Sequence, residues 1–228
     1  MISELTVFDE RAISWEMKRI DLDNWPRRAH FEVFRGMARA RYSCTVSLDV
    51  TETVHWCKQH QRSFDQTMIY QVVAASCRVE NFRLRIDDGA PVLYERVHPV
   101  FTDRRPDEEL FWLRFAEVNG TLEEFFRAVT EVQRVQATHF DFAAIHNRSD
   151  LTFVSCLTEL SFSGLTHTQV NDPDSGSPRM TWGKYSSRHG RLQMPFNVEV
   201  HHALVDGVHV ERFVKTLQEA VSAPVALS

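Results

Sequence analysis

Hydrophobic positions along the chain follow two periods. From Asp65, read as a helix cap, Met68, Ile69, Val72, Val73, Ser76 and Cys77 fall on one helical stripe. Leu84–Ile86 and Val92–Tyr94 flank Asp87-Asp88-Gly89, the pattern of a hairpin. Thr121 and Glu124 have the spacing of a capping box. The helix they open carries Leu122, Phe125, Phe126, Val129 and Val132 at helical intervals. Strands are predicted at Leu151–Leu157 and Met180–Ser186, followed by a turn at Arg188-His189-Gly190. In Met194–Val200, Phe196, Val198 and Val200 alternate with Asn197 and Glu199. A last helix places Val210, Phe213, Val214, Leu217 and Val221 on one face. Helices grouped between hairpin-type strands predict an α+β fold with a mixed, largely antiparallel sheet flanked by helices. Asn171–Pro178 reads as a surface loop.

The chain has 228 residues, with 43% hydrophobic and 25% charged. That composition suits one globular domain spanning 1–228. Sixteen Phe and five Trp supply aromatic packing. The net charge of −5 gives no basic footprint for nucleic acid or an anionic membrane surface. No C-x-x-C pair occurs among Cys44, Cys57, Cys77 and Cys156, so neither a zinc ribbon nor a redox pair is expected. Met1–Leu5 lacks the basic and apolar regions of a signal peptide, and no apolar run is long enough to span a bilayer. The expected address is the cytoplasm. No G-x-G-x-x-G or G-x-x-x-x-G-K occurs, which removes the common nucleotide-binding loops.

Candidate chemistry concentrates at His201-His202-Ala203-Leu204-Val205-Asp206-Gly207, where an alternating strand gives way to a helix. His202 is the candidate base, since imidazole exchanges protons near neutral pH. Neighbouring histidines on a strand face opposite ways, so the pair is a poor metal chelate, and H-x-x-x-D lacks a third zinc ligand. Asp206 also suits a helix N-cap.

This string resembles the H-H-x-x-x-D-G signature of the chloramphenicol acetyltransferase family. Five further stretches match in order: Asn24–Glu32, Met68-Ile69-Tyr70, Phe153-Val154-Ser155, Thr181-Trp182-Gly183-Lys184-Tyr185, and Leu192-x-Met194-Pro195. The resemblance runs from about residue 20 to about residue 220. It implies the CoA-dependent acyltransferase fold and acetyl transfer from acetyl-CoA, a co-substrate, to a hydroxyl of chloramphenicol, giving antibiotic resistance. No metal or resident cofactor is implied.

In that frame His202 abstracts the hydroxyl proton, Ser155 donates to the oxyanion and Thr181 supports it. Asp206 pairs with Arg27 as structural support and does not relay charge to His202, whose ring is oriented by its own main chain. Phe34, Tyr42, Thr102, Phe111 and Phe142 line the acceptor pocket, and Lys184 and Tyr185 lie on the CoA side. A homotrimer with active sites between subunits is implied. Phe34 stands where tyrosine is usual and Tyr42 where phenylalanine is usual. Ala40, Leu113, His167 and Ser175 also depart from the usual pocket residues, and Glu159 replaces a tryptophan near CoA. These departures motivate two alternatives: the same chemistry on another hydroxyl acceptor, or a non-catalytic binding protein on this scaffold.

Overall fold

The computed structural model describes residues 17–168 and 176–224. Met1–Leu5, Ser175 and most of the Asn171–Pro178 loop lie outside the described residues. The elements, in order, are β1 (Met17–Arg19), α1 (Arg28–Arg35), β2 (Arg41–Asp49), α2 (Thr51–His60), α3 (Phe64–Arg78) and α4 (Glu80–Arg83). Next come β3 (Leu84–Asp87), β4 (Ala90–Tyr94), β5 (His98–Asp103), β6 (Trp112–Phe115) and α5 (Leu122–Val135). The chain continues with β7 (Leu151–Leu157), β8 (Arg179–Gly183), β9 (Ser186–Arg188), β10 (Arg191–His201) and α6 (Gly207–Ser222). Short 3-10 turns occupy Leu22–Asn24 and Phe142–Ile145.

The main sheet runs β2-β10-β8-β7-β5-β6, with β9 also paired to β10. The β5/β7 and β7/β8 contacts are parallel and the others antiparallel, so the sheet is mixed as the pattern implied. A small antiparallel sheet, β1-β4-β3, holds the hairpin. Its turn places Asp88 and Gly89 at φ 46° and 75°. Left-handed residues suit the twist of a tight hairpin, and glycine takes that conformation without a Cβ clash.

Phe196, Val198 and Val200 of β10 are fully buried with Met180 and Trp182 of β8 and Phe213 and Leu217 of α6. Helix α3 is buried almost all round, which explains its weak polar face: Thr67 and Gln71 are as inaccessible as Met68 and Val72. Its N-cap is Ser63, whose hydroxyl accepts from Gln66 N–H, and not Asp65. Asp65 lies in the first turn and accepts from the Trp182 indole at 3.0 Å. An indole N–H needs an acceptor when buried, and that demand overrides the local capping signal. Thr121 and Glu124 form the expected capping box of α5. The strand expected at Met180–Ser186 stops at Gly183 and resumes as β9.

Candidate active site

β10 delivers His202 one residue beyond its end, and the His202 N–H still donates to Ala40 O at 2.7 Å. The imidazole is packed from two sides. Phe34, on α1, lies face to face with it, centroids 3.9 Å apart and planes 10° from parallel. Tyr42, on β2, leans against it at 4.8 Å. Burial pushes the Tyr42 hydroxyl up to about 12, with the Asp206 carboxylate adding to the shift.

Beneath the ring, Arg27 ties the strand–helix junction together. It grips both carboxylate oxygens of Asp206, with Nη2 to Oδ1 at 2.6 Å, and donates to His202 O at 2.7 Å and Ala203 O at 2.8 Å. Hydrogen bonds from Arg27 hold the Asp206 carboxyl below the usual aspartate range. Asp206 is the N-cap of α6 and its N–H donates to His209 Nδ1 at 2.9 Å. His202 Nδ1 lies 3.2 Å from Asp206 Oδ1 but has no hydrogen-bond partner among the described residues, so the main-chain bond expected to orient the ring is not formed and Phe34 and Tyr42 hold the ring by packing instead. A bidentate guanidinium already neutralises the carboxylate, so this aspartate is engaged as an anchor of the turn.

The hydroxyl chemistry lies elsewhere on the sheet. Ser155 and Thr181 are in register on parallel β7 and β8, and their hydroxyl oxygens are 2.6 Å apart. Thr181 in turn stands opposite Asn197 on β10, and Asn197 opposite Thr45 on β2. Phe101 pairs with Val154, which puts Thr102 beside Ser155 one step further on, and Thr102 pairs with Leu113 of β6. One row of mostly polar side chains therefore crosses the sheet on the face away from Phe196, Val198 and Val200. At the β6 end, Leu113 lines a cavity of about 650 Å³ together with Val132 and Ile145. Phe111 and Phe142, both exposed, flank Phe140 at 5.7 Å each.

Strands β7 and β8 then run on toward the residues expected on the CoA side. Lys184 pairs with Glu159 at 2.9 Å, both side chains mostly in solvent. Tyr185 meets Phe64 edge-on at 5.5 Å. Gly183 is required where it stands: a Cβ there would lie 2.4 Å from Leu160 O, against the loop that follows β7.

The site residues thus form two groups. His202, Arg27, Asp206, Phe34 and Tyr42 make one, and Ser155, Thr181 and Thr102 the other. Asn197, level with Thr181, is five residues before His202 on extended β10, roughly 16 Å along the strand. Within one chain the imidazole does not touch the hydroxyl pair. Among the described residues no three His, Cys, Asp or Glu side chains gather with metal-binding spacing.

The model of the chloramphenicol acetyltransferase family matches residues 15–218. The chain belongs to the chloramphenicol acetyltransferase family. It is 31% identical over 207 residues to the chloramphenicol acetyltransferase of Streptomyces acrimycini, covering 90% of this chain and 94% of that protein. It is also 31% identical over 204 residues to chloramphenicol acetyltransferase 2 of Haemophilus influenzae, covering 88% and 94%. A solved chloramphenicol acetyltransferase superposes with a TM-score of 0.82 at 25% identity, over 90% of this chain and 99% of that one. The α+β architecture is therefore that of the chloramphenicol acetyltransferases.

No local pattern in the sequence marks a partner for Asn197, and the resemblance gives Phe34 only a pocket role. The alternation of Asn197 with core residues marked the opposite face of β10 as one that tolerates polar groups. Nothing local to Phe34 announced its stacking on a ring 168 positions away.

Proposed function

We propose that this protein is an acetyl-CoA-dependent O-acetyltransferase that acetylates a hydroxyl of chloramphenicol and so inactivates the antibiotic. The observation that carries this reading is the preassembled pair of hydroxyls, Ser155 and Thr181, at 2.6 Å on rigid parallel strands. Such a pair meets the need of an acyl transfer for donors fixed where negative charge develops.

His202 removes the proton of the acceptor hydroxyl as that oxygen attacks the thioester carbonyl carbon. The carbonyl oxygen becomes an oxyanion and accepts a hydrogen bond from Ser155, with Thr181 supporting the same charge. Collapse breaks the carbon–sulfur bond. The imidazolium returns its proton to the departing CoA thiolate, leaving acetylated acceptor and free thiol. Phe34, Tyr42, Thr102, Phe111 and Phe142 form the acceptor pocket, and Lys184 and Tyr185 contact CoA. Acetyl-CoA is consumed as co-substrate, and the reaction takes place in the cytoplasm.

The protein is a homotrimer in which His202 of one subunit faces Ser155 and Thr181 of the next. The wide separation of the two groups in one chain supports this arrangement, and so do the exposed Phe111, Phe140 and Phe142, which gain cover at a subunit seam.

The test is chloramphenicol-dependent release of CoA thiol. Wild-type protein acetylates chloramphenicol and His202→Ala does not; equal rates would refute the assignment. Mixing unfolded His202→Ala and Ser155→Ala chains and refolding them together restores part of the activity, because hybrid trimers contain sites with both groups intact. Separately refolded chains stay inactive. Absence of complementation would place both groups in one subunit's site.

A further inference from the structure

The turn that carries His202 is held through its backbone. His202 O and Ala203 O accept from Arg27 at 2.7 and 2.8 Å, and Leu204 O accepts from Asn81 Nδ2 at 2.8 Å. Three consecutive carbonyls therefore each meet a side-chain donor from another element. Inside the turn, His201 O takes the N–H groups of Leu204 and Val205 at 3.0 Å, and Ala203 N–H donates to His201 Nδ1 at 3.2 Å. Ala203 and Leu204 are wholly inaccessible, so water is no alternative partner for their carbonyls. Asn81 stands 123 positions before Leu204, on α4, which is a fixed mount. Its neighbour Phe82 is fully buried and stacks on Phe213 of α6, centroids 4.3 Å apart and planes 15° from parallel, and Arg83 Nη1 donates to Tyr94 O at 2.8 Å.

The imidazole has no polar tether of its own. Its Nδ1 is without a hydrogen-bond partner among the described residues, and Phe34 and Tyr42 constrain the ring by contact alone. A gap of about 0.5–1 Å already forfeits a quarter to a half of such a contact, so a ring held by packing keeps its place only while its backbone does. A base must also lie within hydrogen-bond reach of the proton it takes. The aim of His202 is thus inherited from the main chain of the turn, and that main chain is set by Arg27 and Asn81.

We propose that Asn81 is a positioning residue for the acetyl transfer: by holding Leu204 O it fixes the turn that aims the His202 ring. This rests on the reading of His202 as the general base.

The experiment compares wild-type protein with Asn81→Leu, which keeps the bulk and removes the donor, and Asn81→Gln, which keeps the amide. Two quantities are read: steady-state kinetics with acetyl-CoA and chloramphenicol, and the rate at which diethyl pyrocarbonate modifies His202 in the resting protein, followed by peptide mass spectrometry. In Asn81→Leu kcat falls roughly 10–100-fold while both KM values stay close to wild type, as a misplaced base requires. His202 is modified faster, because a ring on a loosened turn presents its nitrogen more often, whereas the exposed His189 reacts at the wild-type rate. Asn81→Gln retains most of kcat. A contact that serves stability alone would lower the melting temperature and leave both readouts unmoved, and that result overturns the inference. So does a loss carried by KM, or a kcat in Asn81→Gln as low as in Asn81→Leu. Should Asn81→Leu fail to fold, Asn81→Asp, alike in shape but without the N–H donor, is judged by the same two readouts. Wild-type protein that transfers no acetyl group refutes the proposed function, and the modification rates then still decide whether Asn81 holds His202.

Discussion

Arg27 and Asp206 stand 179 positions apart in the chain and meet through two parallel hydrogen bonds. The same guanidinium also holds the carbonyls of His202 and Ala203. One side chain thereby fixes the N-terminus of α6, the turn before it and the residue just beyond the end of β10. Both partners are mostly buried, with side-chain exposures of 11% and 29%. Removing either one leaves the other charge unmatched in a desolvated place. Arg27→Ala and Asp206→Asn are each expected to cost about 2–4 kcal/mol of stability, read as a shift of the urea midpoint. The Asp206 pKa is depressed by Arg27, so its contribution is present above the ordinary aspartate value and lost as pH falls through the lower folded value. The wild-type advantage over Asp206→Asn should accordingly shrink in acid, below about pH 4.

In the proposed mechanism the hydroxyl pair acts on charge that exists only during reaction. Ser155→Ala is expected to lower kcat roughly 10²–10³-fold while KM for both substrates moves little. Thr181→Ala should cost less, because in that mechanism Thr181 supports the oxyanion that Ser155 contacts. Steady-state kinetics with purified variants decide this. A Ser155→Ala protein with wild-type kcat would remove Ser155 from the chemistry.

Histidines outside the reaction set the acid limit of the fold. Burial depresses the pKa values of His98, His167 and His209. His98 Nδ1 accepts the Val118 N–H at 3.0 Å, and a proton on that nitrogen would turn the contact into donor against donor. These rings take up a proton less readily in the fold than in the unfolded chain. Stability is therefore full above the unfolded imidazole value, about 6.5, and falls as pH drops below it, by up to about 1.4 kcal/mol per pH unit for each ring. Urea midpoints measured from pH 7.5 to 5.5 should decline steadily. The decline should be shallower in His98→Gln.

Gly183 marks where the loop after β7 crosses the end of β8. Lys184 N–H donates to Leu160 O at 2.9 Å, and no room remains for a methyl group on the preceding residue. Gly183→Ala is expected to destabilise the protein by about 1–3 kcal/mol, since the clash is with backbone and a ring and not with a flexible side-chain end. Thermal denaturation of the variant reads the loss. A variant as stable as wild type would mean the loop can move aside.

Elements with strong local periodicity are legible in the sequence. β7 spans the predicted Leu151–Leu157, α5 starts at its capping box, and the hairpin turns at Asp88-Gly89. Others were not. β2 is an edge strand whose accessibility does not alternate cleanly, and α2 has only a weak apolar face, so neither carries a simple signature. The cap of α3 is Ser63, two residues before the Asp65 that the pattern suggests, because Asp65 serves the buried Trp182 indole. At the site, His202 and Asp206 belong to one short motif and could be read together. Arg27, Ser155 and Thr181 owe their place among the candidate site residues to resemblance, and the His167–Asn197 contact has no local sign.

What the sequence determined alone is what neighbours within a few positions can encode: helical and alternating periods, a capping box, a tight turn, and a histidine at a strand–helix junction. Strand order and register belonged to the tertiary structure. Only the pairing of β7 with β8 sets Ser155 against Thr181, and only the crossing of α1 over the end of β10 sets Phe34 on His202. The reason is physical. Periodicity says which face of an element is apolar, but which elements share that apolar face is settled by burying all of them at once, and a one-residue slip in register would send Ser155 to the opposite face of the sheet.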